Sequence, residues 1–192
     1  MKNAFLFLVS ALLFSCSTKK YAEPHVVIST NYGDIEAELY PKQAPKSVAA
    51  FLSYVDGGLY KNTSFYRVLK ADEMPTDYNS GVIQGGVFRT NPERTPAKGI
   101  EHESTKLSGL FHKSGTLSLA RTEPGTASTE FFICVGDQPQ FDAGNSEGKD
   151  SLGYAAFGRV VSGMDVVRKI QAAKSHGDSF DDKIRINNIE RL

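Results

Sequence analysis

Seven or eight short strand-type runs and only two stretches of helical period limit what this chain can fold into. The runs are "HVVIST", "IEAELY", "TSFYRVL", "GVIQGGVF", "GTLSLAR", "TEFFICVG", "YAAFGRVV" and "KIRINNI". Val26 and Ile28 share one face of the first, and Ile35, Ala37 and Leu39 answer them across a turn at Asn31 to Asp34, which reads as a hairpin. In "APKSVAAFLSYVDGG", Pro45 suits a first helical turn, and Val48, Phe51, Leu52 and Val55 recur at helical spacing before Gly57-Gly58. Met164, Val167 and Ile170 form a second apolar stripe in "GMDVVRKIQAA", and Ile184 and Ile186 carry a closing strand. The strands do not alternate with helices as βαβ units would, so the pattern points to an antiparallel sheet. Closing that sheet into a barrel removes its exposed edges, and a closed barrel with two helices is the expectation.

The 192 residues supply one domain with a sizeable core. Lys+Arg and Asp+Glu both number 22, so no basic excess exists to bind nucleic acid. His25, His102, His112 and His176 lack metal-ligand spacing, and Glu101-His102-Glu103 reads as a solvated loop. "DAGNSEGKDSLG" departs from a calcium-loop pattern at Gly144 and Glu147, so it too reads as a polar loop. Neither metal nor cofactor is expected.

The N-terminus reads as an export signal: Lys2, then eleven apolar-type residues from Ala4 to Phe14, too few to span a bilayer. The following "LLFSC" resembles the lipobox of bacterial lipoproteins, with small Ser15 before Cys16 and Phe14 bulkier than usual. Residues 1–15 are therefore expected to be a lipoprotein signal, residues 16–24 a lipidated Cys16 with a short tether ending at Pro24, and residues 25–192 the folded domain. The expected location is the cell envelope, lipid-anchored and facing the periplasm. Cys134, in apolar "FFICVG", is expected to be a buried free thiol.

Beyond residue 25 the chain resembles the cyclophilin family of peptidyl-prolyl cis-trans isomerases, in its exported bacterial branch. The segments that carry the resemblance are "YGDIEAELYPKQAPKSVAAFLSYV", "TSFYRV", "VIQGG", "GTLSLAR", "TASTEFFICVGDQPQFD" and "GYAAFGRVVSGMDVV", in the family's order. The resemblance implies a mainly β fold, an eight-stranded antiparallel barrel closed by two helices, and catalysis of X-Pro isomerisation. It assigns Arg67 as the catalytic residue and Gln84 to the substrate backbone and the orientation of Arg67. Phe132 should floor the proline pocket, with Phe141 on its wall, Tyr154 in the place of a pocket His, and Val82 a further substrate-binding residue. Ala120 and Arg121 match the positions whose backbone pairs with an extended peptide. Implied partners are X-Pro segments of unfolded or looped envelope proteins, bound by a monomer.

The chain departs from the family at several places. Gly81 stands where an aromatic is usual, Val82 for Met, Arg121 for Asn, Glu130 for Gln, Gln140 for Trp and Tyr154 for His. The Gln140 exchange implies weak cyclosporin affinity. "VLKADEMPTDYNS", between Arg67 and Gly81, is longer than usual, and Met74 or Tyr78 is a candidate to replace the lost apolar wall. Gly81 and this insertion favour a second reading, a proline-binding module with little catalysis, whereas Arg67, Gln84 and Phe132 favour the enzyme.

Overall fold

The computed structural model describes residues 21–70, 80–96, 98–145 and 150–192. The signal, Cys16, Met74 and Tyr78 lie outside the described residues. The strands are β1 (His25–Thr30), β2 (Gly33–Leu39), β3 (Thr63–Lys70), β4 (Gly81–Gly86), β5 (Thr116–Leu119), β6 (Phe131–Val135), β7 (Ala155–Ser162), β8 (Ser175–His176) and β9 (Ser179–Arg191). Every pairing is antiparallel, in the order β1-β2-β7-β5-β6-β4-β3-β9, and β1 pairs back onto β9. Eight strands thus close a barrel, and two-residue β8 extends β9 outside the ring. Two longer helices are present as expected, α1 (Pro45–Asp56) and α3 (Met164–Gln171). Between them lies α2 (Thr105–Ser108), a single turn with no apolar period to betray it in sequence.

The first hairpin is tighter than expected. Thr30 pairs with Gly33, so the turn is Asn31-Tyr32 alone. The Thr30 hydroxyl donates to the Gly33 carbonyl at 2.7 Å and accepts from the Tyr32 N–H, which holds the turn closed. Val26, Ile28, Ile35, Ala37 and Leu39 are all buried, as their alternation requires, and so are Val48, Phe51, Leu52 and Val55 of α1. Inside the barrel, Phe51, Tyr60, Phe65, Phe131 and Phe157 pack with ring centroids 5.0–5.7 Å apart.

The Glu101–Glu103 triplet is dispersed into structural contacts. Glu101 pairs with Lys46, and His102 Nε2 meets the Leu152 carbonyl at 3.1 Å. Glu103 accepts from the N–H groups of Lys46 and Ser47 at 3.0 and 2.8 Å, so a distant carboxylate caps the first turn of α1. Residues 21–24, expected as tether, are attached to the barrel. Tyr21 stacks on His25 at 3.8 Å, Lys42 reaches Glu23, and the Pro24 carbonyl accepts the Leu39 N–H.

Candidate active site

Strand β6 is buried on both faces, and this creates the site. Phe131, Ile133 and Val135 point into the barrel, while Phe132 and Cys134 point outward into a second, smaller apolar cluster with Val82. Leu69, Ala120, Phe141 and Tyr154 pack around that cluster. Neighbouring β4 alternates in step, with Ile83 inward and Val82 and Gln84 outward. The result is an open cleft of about 1090 Å³ on the outer wall of the barrel, lined by Arg67, Val82, Gln84, Ala120, Arg121, Phe132, Phe141 and Tyr154 among others. The structure thus gathers the sequence-designated cleft residues in one place.

The apolar end is built from rings. Phe132 meets Phe141 at 5.4 Å and Tyr154 at 5.5 Å, both edge to face, and Phe141 meets Tyr154 at 5.3 Å in the same manner. Beneath Phe132 lies His112, stacked at 5.8 Å and almost fully buried. Its Nδ1 sits 2.7 Å from Asp142 Oδ1 and its Nε2 2.9 Å from the Ser118 hydroxyl. A carboxylate only accepts, so Nδ1 carries the proton and Nε2 accepts from Ser118. Desolvation outweighs Asp142 and lowers the His112 pKa, which leaves a neutral ring under the floor. Nothing in the local sequence marked His112 for this place, because Asp142 and Ser118 reach it only through the fold.

The polar end depends on a bulge in β3. Phe65 pairs with Gly85 and Arg67 with Gln84, so Tyr66 is an extra residue opposite β4. Plain alternation would send Tyr66 and Arg67 to opposite faces; the bulge lets both line the cleft. Arg67 Nη1 donates to Gln84 Oε1 at 3.2 Å, and Gln84 Nε2 donates to the Tyr66 hydroxyl at 3.0 Å. The Tyr66 hydroxyl in turn donates to Glu130 Oε2, while Glu130 Oε1 accepts the Phe88 N–H at 2.8 Å. Burial, then the Glu130 charge, raises the Tyr66 pKa, so the phenol stays protonated and can donate. The second glycine of "VIQGG" makes this possible: Gly86 has φ +150°, and a Cβ there would lie 2.3 Å from Glu130 Oε1.

Two departures from the expected residues acquire physical reasons. At Gly81 a Cβ would fall 1.9 Å from the Leu69 carbonyl oxygen, with φ +148°, so no aromatic fits this backbone. Leu69 supplies apolar surface beside Val82 instead, a role the sequence did not designate. The Arg121 side chain is only 1% exposed and turns away from solvent. Its Nη2 donates to both Asp150 oxygens at 2.8 Å, its Nε to the Gly153 carbonyl at 3.1 Å, and its guanidinium lies 5.1 Å from the Tyr154 ring. Arg121 therefore braces the Tyr154 wall, while its backbone follows β5 along the cleft. The Ala120 N–H is taken by the Glu130 carbonyl at 2.9 Å.

Cys134 is buried and free, and burial raises its thiol pKa, so it behaves as a small apolar residue. Among the described residues no group of three or more metal-ligating side chains converges.

A closed eight-stranded barrel thus carries an aromatic pocket and an adjoining Arg–Gln pair on its outer wall. Residues 25–191 match the family described as cyclophilin type peptidyl-prolyl cis-trans isomerase. A peptidyl-prolyl cis-trans isomerase of Acinetobacter baylyi is 40% identical over 156 residues, 80% of this chain and 75% of that protein. Peptidyl-prolyl cis-trans isomerase B of Escherichia coli is 38% identical over 76% of this chain and 83% of its own length. A crystal structure of a Cryptosporidium parvum cyclophilin-type isomerase, obtained in the presence of the dipeptide Ala-Pro, superposes with a TM-score of 0.71 at 27% identity, covering 88% of this chain and 98% of that one. The chain belongs to the cyclophilin-type peptidyl-prolyl cis-trans isomerases, enzymes that interconvert the cis and trans forms of X-Pro bonds.

Proposed function

We propose that the chain isomerises X-Pro bonds in proteins folding in the bacterial cell envelope, as a monomer tethered to a membrane through a lipidated Cys16, with Arg67 as its catalytic group. Amide resonance sets a rotation barrier of about 18–20 kcal/mol, and an X-Pro bond isomerises unaided in tens to hundreds of seconds. No bond breaks, so neither nucleophile nor metal is needed. The enzyme has to favour the twisted amide, in which the proline nitrogen regains its lone pair. A guanidinium aimed at that nitrogen or the adjoining carbonyl does so, and being permanently charged it requires no titration.

The observation that carries this reading is the adjacency of Arg67 to the apolar floor of Phe132 in one cleft, with Gln84 bonded to Arg67 at 3.2 Å. A proline ring seated against Phe132, Phe141 and Tyr154 brings its imide bond toward Arg67. Gln84 and the backbone at Ala120 and Arg121 then hold the flanking peptide, with Val82 packed in the cluster beside Phe132. The envelope assignment is supported by the signal-like N-terminus and the "LLFSC" segment.

NMR exchange measurements on an Ala-Pro peptide test the catalytic assignment. Wild type should accelerate exchange, and Arg67→Ala should lose about 10²–10³ of that acceleration, the scale of one preorganised donor. Equal rates in both proteins would refute the role of Arg67. Peptide binding without exchange in wild type would refute catalysis.

A further inference from the structure

Arg67 has a second anchor that the family resemblance did not supply. Its Nε donates to Asp178 Oδ2 at 2.8 Å. Asp178 lies in the two-residue loop Gly177-Asp178 that joins β8 to β9, where His176 pairs with Ser179. Two features of the sheet put it there. The β3 bulge sets Arg67 opposite Ser179 of β9, so the preceding residue falls beside the guanidinium. The Asp178 carbonyl also accepts the Val68 N–H at 2.9 Å, which stitches the loop to β3 one residue beyond Arg67. The backbone that carries the carboxylate is therefore fixed, and Asp178 itself lines the cleft.

We propose that Asp178 is a positioning residue for catalysis by Arg67: with Gln84 it holds Nε and Nη1, so that Nη2 is the nitrogen presented to the substrate. A guanidinium is planar, and fixing two of its nitrogens fixes the direction of the third. Among the described residues Nη2 has no partner, whereas Nε and Nη1 have one each. The Gln84 contact alone, a neutral acceptor at 3.2 Å, leaves a long side chain free to swing. A second contact, at 2.8 Å on a different nitrogen, removes that freedom. Both side chains are about half exposed, 41% for Arg67 and 54% for Asp178, so water and salt screen the pair and its effect on fold stability is small. Its consequence lies in the aim of the guanidinium. The carboxylate also tempers the charge facing the substrate, so the benefit comes from order rather than from added charge.

This proposal rests on Arg67 as the catalytic donor, and the experiment separates the two claims. Exchange of an Ala-Pro tetrapeptide is measured with the full chain as wild type, Arg67→Ala, Asp178→Ala and Asp178→Asn, with kcat and KM resolved. Asp178→Ala should lower kcat about fivefold while KM stays within about twofold. Asp178→Asn, which keeps an acceptor at the same reach, should restore kcat to near the wild-type value. Independently of turnover, the Arg67 Nε–H resonance should be sharp in wild type and Asp178→Asn, and broadened by solvent exchange in Asp178→Ala. Wild-type kcat in Asp178→Ala, or an unchanged Nε–H signal, overturns the proposal. Loss of activity in Arg67→Ala beside full activity in Asp178→Ala overturns Asp178 alone. Full activity in Arg67→Ala removes both.

Discussion

Gln84 Nε2 donates to the Tyr66 hydroxyl at 3.0 Å, and this contact decides which end of the Gln84 amide faces Arg67. A flipped amide would set two donors, the NH₂ and the guanidinium, against each other. Tyr66 prevents the flip because its own proton is committed to Glu130, which leaves the phenolic oxygen to accept from Gln84. Tyr66→Phe should lower kcat/KM several-fold and cost about 1 kcal/mol of stability, the net worth of a typical hydrogen bond. Peptide exchange and chemical denaturation check the two effects. Unchanged kcat/KM together with unchanged Gln84 side-chain amide shifts would count against the locked amide.

The same phenol gives an alkaline signature. Burial and the nearby Glu130 hold the Tyr66 pKa above its ordinary value of about 10, and the fully buried Tyr60 is held up for the same reasons. In the unfolded chain both phenols ionise near pH 10, and in the folded chain they do not. Stability is therefore intact below about pH 10 and falls as the pH climbs beyond it, because the unfolded state alone releases protons. Thermal melts should show this slope, and Tyr66→Phe should reduce it. The exchange rate of wild type should show no Tyr66 inflection between pH 7 and about 10.

His112 gives the opposite slope in acid. Its pKa is depressed by burial, so the unfolded chain takes up a proton below about pH 6.5 while the folded chain resists. The stability it contributes is complete above about pH 6.5 and is lost as the pH falls through the depressed folded value. Because the ring stacks under Phe132, its protonation should also weaken peptide binding. Melting temperature and peptide affinity should fall together on acidification, and both falls should shrink in His112→Gln. A fall of equal size in the variant would place the titration elsewhere.

Phe132→Ala should weaken proline-peptide binding by roughly 2–4 kcal/mol, the scale of losing a buried aromatic. It would also open a void against His112, Phe141 and Tyr154, so some loss of stability is expected with it. Phe132→Leu, which keeps most of the volume, separates the two: folding should recover further than affinity. Undiminished affinity in a folded Phe132→Ala protein would mean the pocket floor lies elsewhere.

Sequence and structure part company where side-chain direction depends on the far side of the barrel. Alternation was enough to place Val26, Ile28, Ile35, Ala37 and Leu39 inward, because a half-buried strand writes its two faces into a period of two. It could not place Tyr66, whose direction is set by a bulge and not by its neighbours. Nor could it find His112 and Asp178, whose partners lie 30 and 111 residues away. Arg121 shows the same limit: the sequence matches it to a backbone position, and only the fold reveals its side chain buried against Asp150 and Gly153. Arg121→Ala should free the Gly153–Tyr154 segment and cost about 1–3 kcal/mol, below the usual figure for a broken buried pair because Asp150 is partly exposed. The loss should appear in KM more than in kcat, since Tyr154 walls the pocket and stands apart from Arg67's hydrogen bonds. An unchanged KM would release Arg121 from the role of brace.

The proposed anchor makes a prediction about distance. One acyl chain holds a protein to a bilayer only marginally, whereas several chains hold it stably, each buried CH₂ adding about 0.8 kcal/mol. A lipidated Cys16 with a diacylglycerol should therefore bring the whole domain down with membranes. Tyr21 already stacks on His25, and Glu23 and Pro24 are held by Lys42 and Leu39, so only residues 17–20 remain between the lipid and the barrel. Four residues span at most roughly 13–14 Å, about half the reach of a tether running to Pro24. The barrel should thus work on chains passing close to the bilayer surface. Cys16→Ser should move the protein to the soluble fraction or leave an uncleaved precursor, and inserting a flexible segment after Thr18 should lengthen the reach without changing peptide exchange. Mass spectrometry of the mature N-terminus decides the matter: a diacylglyceryl-modified Cys16 supports the anchor, and an unmodified terminus beyond Cys16 refutes it while leaving the isomerase intact.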